Sequence, residues 1–582
     1  MLKVDTLLYL IFFTFIALAI GYPTIFSRGI QTQASASVGD FPTVTSYDLF
    51  FNIDLAHQLF QSRQSITLTN SDSSRREITF LIHPDLVIDE IKFADARGSP
   101  LQVSGWSFGQ PVSYTRLSGS VVLNTATVQF TTPIAPRQGL SMELDYHLKP
   151  EDFQTGAGSN FYGLFVSAQD QRAIGFDSGA FPVIESNGAA PLKITIQYPD
   201  SELCGVPGQL VSTSTSPGFI TSTYQAVRAY DPAFSCGVYK KEASSLNGIG
   251  VEFYLTPDQT YSAGMGKAAL DYFGLYRQLF GDPGLSTFRF VFVATEFEGG
   301  GAENKGNTVY LGKQVNVDDF SNFAKDVNVQ TKFKQLVGHE EFHDWNAYFS
   351  SWTGSLTEWG TEGEANFMSA WAGEMLWGEA YGRALRAQYS ANYNAQMPYL
   401  FPGTLESPGS ILKGDTWMGE STLTYDYGAL VWEQLRQKVG DYPLKMGLSD
   451  FIQQSSSQPG TYADFVRCLQ RYTSVDVAVY LKPWITHNAR IDLSIKQVTI
   501  QPEGSQYTTV AVITVTGEKD YELFTSLGYK TDSSLDWVTI PLHLTGRGTY
   551  EVKFTSQKRP THLQIDVDYR VPQTIYNNDT WP

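Results

Sequence analysis

Two histidines four positions apart, His339 and His343, flank Glu340 in the stretch HEEFHDWN. Residues i and i+4 share one face of an α-helix, so both imidazoles can bind the same metal ion. The preceding residues TKFKQLVG carry apolar side chains at helical spacing, which predicts that the motif lies on a helix. With only 8 histidines in the chain, H-E-x-x-H arises by chance in roughly one such sequence in several hundred. The motif therefore favours a zinc site over the alternative, two histidines hydrogen-bonded inside an ordinary core.

A zinc site of this kind needs a third protein ligand. The metzincin pattern would place a glycine and a histidine at positions that hold Asn346 and Phe349, so that class is excluded. The next predicted helix, within LTEWGTEGEANFMSAWAGEMLWG, offers three glutamates instead: Glu358, Glu362 and Glu364.

Among these glutamates, Glu362 is the expected ligand. Thr361 and Glu364 have the spacing of a capping box, which predicts that the helix begins at about Glu362 and that Glu364 serves the cap. Glu358 then falls in the loop before the helix. Glu362 follows His343 with 18 residues between them, which is the gluzincin spacing.

The motifs resemble those of the zinc aminopeptidases of the aminopeptidase N and leukotriene hydrolase type. In that family H-E-x-x-H is followed after eighteen residues by W-x-x-E-G, which matches WGTEG (Trp359–Gly363). A second family signature, G-A-M-E-N, is present in altered form as GGAEN (Gly300–Asn304), and a third, Y-x-K-G, as YDYG (Tyr425–Gly428). The resemblance is specific over residues 250–435 and looser in the β-rich segments on both sides.

The sequence also departs from the family pattern. Ala302 occupies the methionine position of G-A-M-E-N, and Tyr427 occupies the lysine position of Y-x-K-G. The HDWN end of the first motif is more similar to the glycyl aminopeptidases, a related gluzincin group. The large helical C-terminal domain of many aminopeptidase N relatives has no counterpart in this sequence, so a closed chamber around the site is not predicted.

The residues and the resemblance together assign a mechanism. One zinc ion held by His339, His343 and Glu362 activates a water, and Glu340, adjacent to a ligand, is placed to act as general base. The resemblance implies that Tyr425 stabilises the tetrahedral oxyanion.

The resemblance also implies how a peptide is bound. Glu303 binds the free α-ammonium group of the substrate, and the strand that contains Gly300, Gly301, Ala302 and Asn304 pairs with its backbone. The expected activity is hydrolysis of the N-terminal peptide bond of peptides with a free N-terminus.

Short alternating apolar runs and turn residues predict a multidomain α+β chain. We expect an N-terminal antiparallel β-sandwich-like domain over residues 38–247 and a C-terminal β-sandwich domain over residues 491–582. Between them, residues 248–490 read as amphipathic helices after a buried strand, which the resemblance identifies as a thermolysin-like, mainly helical catalytic domain.

The N-terminus contains 22 residues without a charge, between Asp5 and Arg28, and the core LLYLIFFTFIALAI (Leu7–Ile20) is almost wholly apolar. That length is enough to span a bilayer. Residues 1–37 are therefore expected to be a signal anchor, or a cleaved signal peptide, plus a spacer. Either interpretation places the rest of the chain outside the cytoplasm, membrane-anchored or secreted.

Charge and cysteine content exclude further classes. The net charge of −18 and the absence of a Lys/Arg run argue against nucleic-acid binding. Three cysteines are too few for a disulfide scaffold or a thiolate zinc site. Cys204 and Cys236 are close enough in sequence to pair, which would leave Cys468 free; three unrelated thiols are the alternative.

Three rival functions remain open. The first is a serine hydrolase, because GWSFG (Gly105–Gly109) is a literal G-x-S-x-G. Pro111 and the β-rich surroundings do not provide the strand, turn and helix of a nucleophile elbow, so Ser107 is expected in a loop. The others are a zinc endopeptidase or a different gluzincin hydrolase, and a catalytically silent peptide-binding protein on the same fold.

Overall fold

The structure is a computed structural model. It describes residues 42–116, 119–149, 164–167, 172–175, 181–182, 184, 190–229, 232–293, 302–304, 306–312, 323–396, 404–406, 422–532 and 536–582. The apolar segment Leu7–Ile20, with the anchor or signal predicted for it, lies outside these residues. None of the described helices is long and apolar enough to cross a membrane.

The strands before the first helix form three sheets and begin a fourth. They are β1 (Thr43–Asp54), β2 (Leu59–Thr69), β3 (Arg75–Ile82), β4 (Leu86–Asp95), β5 (Val103–Phe108), β6 (Val112–Arg116), β7 (Gly119–Ile134), β8 (Gly139–Leu148), β9 (Leu164–Ser167), β10 (Arg172–Gly175), β11 (Ala190–Pro199), β12 (Leu203–Gly205), β13 (Gln209–Ser216), β14 (Phe219–Ala229), β15 (Phe234–Gly237), β16 (Lys240–Leu246) and β17 (Ile249–Leu255). A seven-stranded sheet has the order β13-β14-β11-β1-β2-β8-β4, and smaller sheets have the orders β3-β7-β5, with β6 on β7, and β12-β15-β10-β9.

The seven-stranded sheet and the β3-β7-β5 sheet pack on one core. Side chains that alternate along β1, including Leu49, Phe51 and Ile53, are buried with Ile78 and Phe80 of β3. This is the alternation of a strand with one face on a core and one face toward solvent. The expectation of a purely antiparallel sheet was wrong at one position, because β1 and β11 pair in parallel. A long connection separates these two strands, and only such a connection lets a strand return in parallel.

The middle of the chain combines a mixed sheet with helices. The sheet has the order β16-β17-β18-β20-β19, in which β17, β18 and β20 are parallel; its later strands are β18 (Thr287–Phe292), β19 (Ala302–Asn304) and β20 (Thr308–Leu311). The described α-helices are α1 (Ala263–Phe280), α2 (Val327–His343), α3 (Glu364–Trp377), α4 (Glu379–Gln396), α5 (Gly428–Val439), α6 (Asp441–Ser455), α7 (Tyr462–Gln470) and α8 (Val477–Thr486). The described chain is therefore a mixed α+β protein.

The last strands form two sheets that share the helical core. The sheets have the orders β21-β22-β25 and β24-β23-β26-β27. Their strands are β21 (Ile491–Glu503), β22 (Gln506–Gly517), β23 (Glu522–Thr531), β24 (Val538–Thr545), β25 (Gly548–Ser556), β26 (Pro560–Ile565) and β27 (Thr580–Trp581). Gln434 of α5 bonds to the backbone of Phe524 and Arg570, and Arg386 of α4 donates to the carbonyl of Asp568. The C-terminal strands are thus fixed on α4 and α5. The domain boundaries predicted from the sequence stay predictions.

The structure answers two further sequence questions. Cys204 and Cys236 are opposite each other on β12 and β15 and form a disulfide, while Cys468 is a buried free thiol. Ser107 was expected in a loop, but it lies in the exposed strand β5, where it pairs with Thr127 of β7. A nucleophile elbow needs a sharp turn from a strand into a helix, and Ser107 has neither, so the serine-hydrolase alternative loses its motif.

Candidate metal centre

The H-E-x-x-H motif lies at the C-terminal end of α2. The helix begins where Asp326 accepts hydrogen bonds from the backbone N–H groups of Asn328 and Val329, a typical N-cap. Near its other end the hydroxyl of Tyr276, on α1, donates to the carbonyl of Gly338 over 2.8 Å. Both ends of the helix are therefore held, and the motif residues sit on a fixed backbone.

Three π-helical turns surround the motif: π1 (Asp344–Phe349), π2 (Trp359–Gly363) and π3 (Thr422–Tyr427). The first continues α2, the second contains Glu362, and the third contains Tyr425. A π-turn inserts an extra residue into a helix and is frequent at functional sites. Here the three turns bring residues from distant parts of the chain to one place.

The structure brings His339, His343 and Glu362 together. The Nε2 atoms of the two histidines are 3.1 Å apart, and the Glu362 Oε2 atom is 3.2 Å from the first and 3.4 Å from the second. Ligand atoms about 2.0–2.1 Å from a tetrahedral zinc ion lie roughly 3.3–3.4 Å from one another. Among the described residues this is the one group of His, Cys, Asp or Glu side chains with such spacing. The donor set fits a zinc ion.

The outer nitrogens of both imidazoles have partners. His339 Nδ1 is 2.9 Å from Asn366 Oδ1, and His343 Nδ1 is 3.2 Å from Asn346 Oδ1. An amide oxygen only accepts hydrogen bonds, so each Nδ1 carries the proton. In the neutral rings both Nε2 atoms then present lone pairs to each other, an arrangement that a shared cation stabilises.

The charges in this cluster compensate one another. Burial lowers the pKa of His343, but the Glu362 carboxylate outweighs it and the pKa rises to about 9, so a metal ion that binds at Nε2 has to displace a proton. Burial opposes ionisation of Glu362, yet His343 and His339 hold its pKa well below the usual range. The carboxylate is thus ionised at neutral pH, as a metal ligand must be.

Tyr425 lies beside the three ligand atoms. Its ring stacks on that of His339 with centroids 5.7 Å apart and an interplanar angle of 16°. Burial, the Glu362 charge and a hydrogen bond to Glu362 raise the pKa of Tyr425 well above its ordinary value. The side chain therefore remains a phenol and a hydrogen-bond donor.

Glu340 is on the same helix turn as the two histidines and is buried, with 6% of its surface exposed. Its backbone carbonyl accepts a hydrogen bond from the side chain of Asn304. Asn304 belongs to β19, at the edge of the mixed sheet, so the end of the GGAEN segment lies against α2. Gly300, Gly301 and the side chains of Ala302 and Glu303 lie outside the described part.

Three expectations about neighbouring residues were wrong. Glu358 is helical and does not lie in a loop. Thr361 does not cap a helix: its hydroxyl donates to the carbonyls of Thr357 and Glu358, because the backbone is already helical before Glu362. Glu364 is the first residue of α3 and is buried, where it accepts a hydrogen bond from Trp352 and burial raises its pKa to about 8. A continuous helical path through π2 removes the free N–H groups that a capping box would satisfy.

Tyr427, in the position where the family pattern has lysine, does not face the ligand atoms. Its hydroxyl donates to the carbonyls of Trp484 and His487, and its ring stacks on Tyr393. It is a packing residue between π3, α4 and the end of α8.

Sequence reasoning missed Asn366 altogether and noted Asn346 only because it is not glycine. Asn366 follows Glu362 by four positions, so the helical i, i+4 relation could have pointed to it. Sequence reasoning also missed two buried acids, Glu341 within the motif and Asp344 directly after it. Burial raises the pKa of Glu341 well above its ordinary value and that of Asp344 to about 7.

The fold is similar to a solved structure. No protein-family model matches the sequence, and no curated protein matches it. The crystal structure of Legionella pneumophila aminopeptidase A in complex with aspartic acid matches with a TM-score of 0.62 and 15% sequence identity. The match covers 92% of this chain and 59% of that chain, so this chain spans less than two thirds of the neighbour's length. Over the matched region, this chain and the aminopeptidase have a similar fold.

Proposed function

We propose that this chain is a zinc-dependent aminopeptidase. The observation that carries the proposal is the donor set of His339, His343 and Glu362, whose three ligand atoms already have the mutual spacing of a tetrahedral zinc site. When bound, zinc supplies a Lewis acid and lowers the pKa of a water from about 15.7 to about 7.

The residues around the donor set have complementary roles in this proposal. Glu340 takes a proton from the attacking water at its carboxylate and returns it to the leaving amine. Proton transfer of this kind contributes about 10²–10⁴-fold in rate. Tyr425 donates its phenolic hydrogen to the oxygen of the former peptide carbonyl, where negative charge develops. Its position against His339 supports this role.

One observation favours an exopeptidase over an endopeptidase: the GGAEN segment, which contains Glu303, is in the family order. Two others support peptide binding of either kind. Asn304 bonds to the carbonyl of Glu340, and β19 is the last described strand of its sheet, where a substrate strand can add. In this proposal Glu303 binds the substrate's α-ammonium group. The structural neighbour is named an aminopeptidase and holds an amino acid, which agrees with the proposal; its aspartic acid is not assigned to this chain.

The test compares single-amino-acid p-nitroanilides with their N-acetylated counterparts, before and after dialysis against 1,10-phenanthroline. A hydrogen bond to a charged group is worth about 1.5–3 kcal/mol, so free substrates should be cleaved roughly 10–100-fold faster in kcat/KM. Activity should vanish with the chelator and return with zinc. Equal rates on free and acetylated substrates would favour the endopeptidase alternative, and no turnover with zinc bound would favour the silent peptide-binding protein.

Glu340→Gln is the matching variant. It should retain zinc and lose about 10²–10⁴-fold in kcat, whereas Glu379→Gln, the same change at an exposed glutamate of α4, should match the parent. Full turnover by Glu340→Gln would remove the general-base role.

We also retain an extracytoplasmic location as a proposal, with membrane contact through the N-terminal apolar segment. It is supported by that segment in the sequence and by the Cys204–Cys236 disulfide, since disulfides persist in oxidising compartments.

A further inference from the structure

We propose that Asn346 and Asn366 are positioning residues that set the tautomers of the two histidines and tie them to the segments carrying Glu362 and Tyr425. The inference rests on the proposed zinc site and adds to it the residues that hold its geometry. Both asparagines are buried, with exposures of 0% and 6%.

Asn346 has an orientation that its backbone partners fix. Its Nδ2 atom lies 3.2 Å from the carbonyl of Gly360 and 2.8 Å from that of Thr361. Carbonyl oxygens only accept, so the NH₂ group must face them and Oδ1 must face His343. One side chain thus joins a ligand histidine on α2 to π2, directly before Glu362.

Asn366 repeats this arrangement on the other side of the site. Its Nδ2 atom donates to the carbonyl of Tyr425 over 3.1 Å, which leaves Oδ1 facing His339 Nδ1 at 2.9 Å. The Asn366 side chain thus joins His339 to π3. Since Asn366 also follows Glu362 by four positions, it links α2 and π2, which carry the three ligands, to π3, which carries Tyr425.

An amide side chain can make both contacts, because it accepts a hydrogen bond from the imidazole and donates one to a backbone carbonyl. A histidine ligand needs an acceptor at Nδ1 to keep Nε2 free for the metal. A carboxylate would accept from the imidazole equally well, but it cannot donate to a carbonyl. At Asn346 an aspartate would place a carboxylate oxygen against two carbonyl oxygens, and at Asn366 against one.

The experiment measures zinc affinity by competition with a chromogenic chelator, and the absorption spectrum of the Co²⁺-substituted protein, for alanine and aspartate variants at both positions. Loss of an outer partner typically costs 10–100-fold in metal affinity or activity. We expect Asn346→Ala and Asn366→Ala to bind zinc roughly 10–100-fold more weakly and to give an altered Co²⁺ spectrum. Asn366→Asp should recover most of the affinity, because the acceptor remains, while Asn346→Asp should not, because both carbonyl contacts are lost.

Asn394→Ala is the control: this asparagine of α4 donates to the carbonyl of Gln573 and does not contact the histidines, so its zinc affinity should equal the parent's. Circular dichroism verifies that each variant is folded. If an alanine variant unfolds, Asn346→Asp, equal in size to asparagine, decides the matter: parent-like zinc affinity in that folded variant would overturn the inference. Unchanged zinc affinity and Co²⁺ spectra in both folded alanine variants would overturn the inference and leave the proposed function standing. A parent protein that binds no zinc would overturn both.

Discussion

Tyr425→Phe isolates the phenolic hydroxyl, because phenylalanine keeps the ring that stacks on His339 and removes one oxygen. Loss of a donor to a developing oxyanion typically costs 10²–10³ in kcat, or about 2.7–4 kcal/mol. In the resting site the hydroxyl is hydrogen-bonded to Glu362, so part of its transition-state interaction replaces an existing one. We therefore expect the lower end, about 10²-fold in kcat.

The variant should leave binding unchanged. The substrate contacts proposed for Glu303 and β19 do not involve the hydroxyl, so KM should stay within about threefold and the full loss should appear in kcat. Zinc affinity should not fall, because Glu362 loses only a competitor for its carboxylate.

Steady-state kinetics on an amino-acid p-nitroanilide, together with zinc titration, measure all three quantities. A kcat within fivefold of the parent would refute the oxyanion role. A loss of activity that follows a loss of zinc would show that the hydroxyl supports the ligand set instead.

Two further substitutions test how the site is supported. Glu374→Gln removes the carboxylate that Arg386 and Arg436 share at 2.7 and 2.9 Å. Arg436 keeps Glu433 and Asp441 as partners but the buried Arg386 loses its carboxylate, so the expected destabilisation is about 3 kcal/mol, read from urea unfolding. In Gly363→Ala the new Cβ would lie 2.7 Å from the carbonyl oxygen of Thr424, so π3 must move, and a shift approaching 1 Å should lower kcat by roughly 10²-fold.

Each of these substitutions has a matched control. Asp72→Asn breaks an ion pair with Arg137 whose side chains are 76–77% exposed, so the unfolding midpoint should not change. Gly274→Ala places a Cβ in open space on α1 and should leave kcat unchanged. If a control and its test variant behaved alike, the contact assigned to Glu374 or Gly363 would not be the cause.

The sequence predicted best what depends on local spacing. His339 and His343 are related by one helical turn, and eighteen intervening residues are enough to return Glu362 on the next helix, so no long-range information was needed. The disulfide was left open between two interpretations, because pairing depends on β12 and β15 being neighbours. The structure makes them so.

Contacts between residues that are distant in the chain could not be predicted from local spacing. The parallel pairing of β1 and β11 joins strands that are distant in the chain, and no periodicity encodes the direction of such a return. The capping box at Thr361 failed for a related reason: its spacing is correct, but the backbone before it is already helical. The spacing of a capping box is typical of the start of a helix, but it does not show whether the preceding residues are already helical.

The three-dimensional structure explains why two of the motifs, WGTEG and YDYG, end in glycine, at Gly363 and Gly428. A Cβ on Gly428 would lie 3.4 Å from the Cα atom of Gly363 and 3.1 Å from the ring of Trp359, so the end of π2 touches the first residue of α5, directly after π3. This backbone contact sets the separation of Glu362 from Tyr425, because each residue is within three positions of its glycine. Both motifs therefore end in glycine for the same physical reason: a side chain at either position would push the ligand and the proposed oxyanion donor apart.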